Sequence, residues 1–129
     1  MTSDIFLSEE YIWSCTRGLF ELVLEFVRDA VEEPVTRSRI EEVLARELPV
    51  LDLQTLPDAG REQVMHCLRT RLTQWAESEL APTLGHLRAE ARFFVGHVKV
   101  LALMARDIED SSTTGWGERQ EESPADRQG

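Results

Sequence analysis

The sequence predicts an all-α fold: a bundle of about four helices, two long and two shorter, followed by a disordered polar tail. Three observations lead there. Leu84, Leu87, Ala91, Phe94, Val98, Leu101, Ala105 and Ile108 recur at steps of three or four residues, the spacing of one continuous helical seam. The stretch from Tyr11 to Val31 is apolar at most positions, and its polar residues gather along one edge. Prolines at 34, 49, 57 and 82 divide the chain into helix-sized pieces.

Ser8 reads as the N-cap of the first helix, with Glu9 and Glu10 in the first turn, where the helix dipole favours acids. Pro34 then stops that helix. Ser38 with Glu41 fits a capping box for a second, shorter helix carrying Ile40, Val43, Leu44 and Leu48. Val50 to Pro57 reads as a connector whose leucines lie over the core; a strand here would need a partner, and none is visible elsewhere. Asp58 caps a third helix, buried through Val64, Leu68, Leu72, Trp75 and Leu80. Pro82 breaks the chain, and Thr83 caps the fourth helix. Gly96 interrupts that helix at a cost of about 1 kcal/mol relative to alanine, a cost that a close crossing by another helix would explain. From Ser111 onward, low hydrophobicity and scattered charge predict disorder. The expected division is therefore a helical domain at 1–110 and a flexible tail at 111–129.

The 129 residues carry a net charge of -10 and are 42% hydrophobic and 29% charged, the composition of an ordinary globular domain. Eight acids and two arginines fall within residues 1–33, so the N-terminal part holds most of the acidity. Such a surface repels phosphate backbones, which disfavours nucleic acid as a partner and favours a basic protein. No run of apolar residues approaches the roughly 18 that span a membrane. Met1-Thr2-Ser3-Asp4 lacks the basic start of a secretory signal, and Cys15 and Cys67 read as reduced, buried thiols. A cytoplasmic location is expected, and the preference for arginine over lysine fits a GC-rich bacterial genome.

Chemistry-bearing patterns are sparse. His86, Glu90 and His97 share one side of the fourth helix, and Glu62 and His66 are four apart on the third, but the spacing matches no di-iron bundle. There is no His-Glu-x-x-His, no Cys-x-x-Cys, no phosphate loop and no nucleophile elbow. These absences predict neither an enzyme nor a bound cofactor or metal. The span between the second and third helices is too long for a helix-turn-helix.

What remains is surplus apolar surface on the two long helices. That surplus predicts a non-catalytic protein–protein interaction module, forming a homo-oligomer such as a dimer or masking a basic partner as immunity proteins, antitoxins and secretion chaperones do. The candidate partner-binding residues are Trp13, Phe20, Leu24 and Val27 with the acids Glu21 and Glu25, then Phe93, Val100 and Met104, and Trp116 in the tail. A regulatory DNA-binding protein is the alternative, and a helical pocket for a metal or small ligand the third reading.

Overall fold

The computed structural model describes the backbone of residues 2–84 and 88–119, and the side chains of 2–84 and 91–109. It corrects the all-α expectation: a three-stranded mixed sheet stands beside the helices. Strand β1 (Thr2–Phe6) pairs antiparallel with β2 (Ile12–Thr16), placing Ser3 opposite Cys15 and Ile5 opposite Trp13. Strand β3 (Val50–Asp52) adds to the other side of β1 in parallel, Ile5 against Leu51, so the order is β2-β1-β3. Asp4 N–H donates to the Pro49 carbonyl at 2.8 Å and carries that pairing into the loop before β3.

The reason the first helix starts late lies in two overlapping periods. Trp13 and Cys15 are buried while Ile12, Ser14 and Thr16 are exposed, the alternation of a half-buried strand. Ser8 caps no helix; its Oγ accepts from the Glu10 and Tyr11 amides at 3.2 Å and closes the β1–β2 hairpin. Helix α1 (Arg17–Ala30) follows directly and buries Leu19, Phe20, Val23, Leu24 and Val27 as one stripe. The apparent excess of apolar residues came from joining strand and helix into a single rod.

Pro34 does not end a helix but opens α2 (Pro34–Ala45), at the position where a missing N–H costs nothing. Glu33 serves as its N-cap, accepting from Thr36 N at 2.7 Å and Val35 N at 3.1 Å. Beyond β3, a 3-10 turn (Leu53–Thr55) leads to α3 (Asp58–Thr70). The chain breaks at Arg71, resumes as α4 (Leu72–Trp75), widens into a π turn (Ala76–Leu80) and ends as α5 (Ala81–Thr83), with Pro82 inside that last turn.

Helix α6 (Arg88–Arg119) returns antiparallel to α3–α5. Lys99 meets Glu77 at 2.7 Å, Arg69 meets Glu109 at 3.5 Å, and the Arg106 guanidinium donates to the Arg69 carbonyl. Its seam is the expected one from Ala91 onward: Ala91, Val98, Leu101 and Ala105 are buried, with Phe94 and Ile108 packed partly against the core. Leu84 instead follows α5, and Leu87 lies outside the described residues. The backbone from Ser111 to Arg119 continues α6 where a disordered tail was expected.

One core unites sheet and helices, centred on Trp13, Phe20, Leu24, Ile40, Leu68, Leu72 and Leu101.

Candidate docking surfaces

Four of the apolar residues expected at a partner interface lie inside the protein. Trp13 is 1% exposed, and Phe20, Leu24 and Val27 are equally buried. The sheet, α2 and α3 pack around α1, so its apolar stripe has no surplus to offer. Glu21 is held by Arg17 at 2.9 Å. Arg17 also donates to the Leu48 carbonyl at 2.6 Å, which ties the start of α1 to the loop before β3.

Helix α6 leaves three large apolar residues exposed. Phe93 is 65% exposed, Val100 42% and Leu103 59%, while Met104 is half-buried. At 100° per residue, positions 93, 96, 100 and 103 fall on one side of the helix, away from the buried seam. Gly96 lies within this stripe, and a Cβ built there meets no atom within 4 Å beyond its own helix. Among the described residues, no packing inside the protein accounts for a glycine at that position. Leu103 and Gly96 were absent from the expected interface, although the three-four-three spacing that groups them with Phe93 and Val100 is visible in the sequence.

His97 sits beside this stripe and joins α6 to the outer edge of the sheet. The Trp13 indole N–H donates to the His97 carbonyl at 2.9 Å. His97 Nε2 contacts the Ser14 carbonyl at 2.6 Å; a carbonyl only accepts, so the ring carries its proton on Nε2. The His97 ring stacks on Trp13 at 5.0 Å and on Phe93 at 5.8 Å. Tyr11 and Asp107 make a third bond between hairpin and helix. His97 thus covers a strand edge that would otherwise be open to pairing, and it spends its ring on a structural contact. His86 lies outside the described residues, as do the side chains of Glu90 and Trp116. His66 is exposed on α3.

A second surface lies between α1 and the α4–π-turn rod. It is a trough of about 560 Å³ whose lining includes Glu25, Phe26 and Asp29 from α1 and Arg71, Trp75 and Glu79 from the rod. Phe26 and Trp75 stack at 4.8 Å, and the Arg71 guanidinium lies over Phe26 at 5.9 Å. Of the expected acids, only Glu25 lines this trough. The aromatic pair escaped the sequence reading because Phe26 and Trp75 both fit core stripes and are far apart in the chain.

Burial pushes the Cys15 thiol up to about 12 and the Cys67 thiol to about 11, so both are protonated and unreactive at neutral pH. Helices α2 and α3 are joined through β3 and the 3-10 turn, not through a tight turn. No family model, curated protein or solved structure matches the chain.

Proposed function

We propose that this chain is a non-catalytic interaction module that pairs with a second copy of itself through the outward face of α6. The observation that carries the reading is the exposed stripe Phe93, Val100 and Leu103 around an uncovered Gly96. Its three-four-three spacing reads the same from either end. Two antiparallel α6 helices related by a two-fold axis near residue 98 would set Phe93 against Leu103 of the second copy, and Gly96 against Val100. Large residues would then meet complementary positions, as an isologous interface requires. Gly96 would let the helix axes approach, which supplies the reason for a glycine that internal packing leaves unexplained.

The flanks predict how salt acts. Arg92, Lys99 and Arg106 run along one edge of the stripe at seven-residue intervals, and in the antiparallel pair this edge meets its own copy. Glu77 offsets Lys99 at 2.7 Å, but the row remains basic. Screening therefore strengthens the pair, and salt tightens self-association.

Light scattering on the intact chain at micromolar concentration tests this. The expected mass is twice that of the monomer, rising in occupancy with salt, and Leu103→Glu is expected to give a monomer with unchanged circular dichroism. A monomer throughout the micromolar range, or a dimer indifferent to both Leu103→Glu and Phe93→Glu, overturns the reading.

A further inference from the structure

We infer that the trough between α1 and the π turn receives a lysine- or arginine-bearing segment of another protein. The inference does not rest on pairing through α6, because none of the trough's lining comes from that helix.

Both walls carry carboxylates. Glu25 and Asp29 stand one turn apart on α1, and Glu79 faces them from the π turn. Asp29 is partly neutralised by Arg28 at 3.3 Å. Glu25 and Glu79 make no ion pair among the described residues. Between the walls lie the stacked rings of Phe26 and Trp75, and such rings attract cations through their faces. The trough already holds one guanidinium in this way: Arg71, anchored at the break between α3 and α4, lies over Phe26. This resident contact identifies the chemistry that the aromatic pair accepts.

Arg71 comes from one end and covers one ring, leaving the Trp75 side and the two carboxylate walls to an incoming cation. An extended segment carrying a cationic side chain suits a trough lined from both α1 and the rod, with carboxylates on each wall. The π turn adds a residue to that wall and breaks the regular ladder, a feature concentrated at functional positions.

The probe is a blocked hexapeptide of alternating arginine and glycine, with citrulline in place of arginine as the uncharged control. Binding is followed on the intact chain by amide and indole NMR shifts, and Trp75→Phe assigns the Trp75 indole resonance. A saturable shift at the Trp75 indole and the Glu25 and Phe26 amides is expected, and the citrulline peptide should produce none. The exposed pair of changes Glu25→Gln and Glu79→Gln should weaken binding by about fivefold or more. Arg71→Gln should tighten it, because the resident like charge is gone.

Shifts spread without saturation over Glu9, Glu10 and Glu62 would mark non-specific attraction to an acidic protein and overturn the inference. So would binding indifferent to Glu25→Gln with Glu79→Gln, or no shift at millimolar peptide. Peptide binding retained by the Leu103→Glu protein separates this outcome from that of the α6 pairing.

Discussion

Gly60 and Gly96 make the same chemical change, glycine to alanine, a test of where this fold is tight. At Gly60, near the start of α3, an added Cβ overlaps Thr36 Oγ1 outright. It also comes within 2.7 Å of Thr36 Cβ and 2.8 Å of Glu33 Oε1. Neither neighbour can yield easily. Thr36 is fully buried, and Glu33 Oε1 is committed to the Thr36 amide at 2.7 Å. The start of α2 must therefore shift away from α3. Overpacking of this kind costs about 1–3 kcal/mol. The helix propensity gained by alanine, at most about 1 kcal/mol, offsets part of that. A net loss of about 1–2 kcal/mol is expected for Gly60→Ala. Gly96→Ala meets nothing and should gain about 1 kcal/mol from propensity alone. Urea denaturation followed by circular dichroism measures both, in a Leu103→Glu background so that pairing through α6 does not contribute. At about 4 °C per kcal/mol for a chain of this size, thermal melts should separate the two variants clearly. A Gly60→Ala protein as stable as Gly96→Ala would refute the close approach of α2 and α3.

Four other outcomes follow from contacts described above. Trp13→Phe removes the bond to the His97 carbonyl and opens a void in the core, with an expected loss of about 1–3 kcal/mol. His97→Ala should cost about 1 kcal/mol, and a double-mutant cycle should show the two changes coupled. The thiol values are raised in the fold, so their contribution is intact below the unfolded value of 9.0. It is lost as pH rises, toward about 11 for Cys67 and about 12 for Cys15. Replacing both with alanine should flatten that alkaline fall in stability. The Glu33 carboxyl is lowered by its bonds at the start of α2, above all to Thr36. Its contribution is present above the ordinary 4.5 and fades as pH falls through the lowered value, so Glu33→Gln should reduce the acid sensitivity of the urea midpoint.

The candidate surfaces were only partly legible before the fold was known. Phe93 and Val100 stand out in the sequence because α6 carries apolar residues on both sides of a regular seam, and one side must face outward. Trp13, Phe20, Leu24 and Val27 look equally available, yet all four are core. Their burial depends on distant elements: α6 reaches Trp13 on β2, and the sheet, α2 and α3 pack around the other three on α1. The Phe26–Trp75 pair was invisible for the opposite reason: each residue reads as core, and only their meeting across two elements leaves a trough between them.

Period and charge in the sequence were sufficient for the helical seam from Ala91 to Ile108, for the existence of the helices containing Ile40 and Val64, and for the acidic character of the N-terminal third. Those are local properties: a helix completes its own hydrogen bonds, so its pattern is written within a few turns. The sheet belongs to the tertiary structure alone. Strand β3 is three residues long and acquires its hydrogen-bond partners only by reaching β1, more than forty residues earlier in the chain. Five alternating residues ahead of α1 are too few to declare a strand against the helical pattern that follows them. Which greasy side chains remain in water was likewise settled by the packing of distant segments, because burial is decided by neighbours that a single stretch of sequence does not contain.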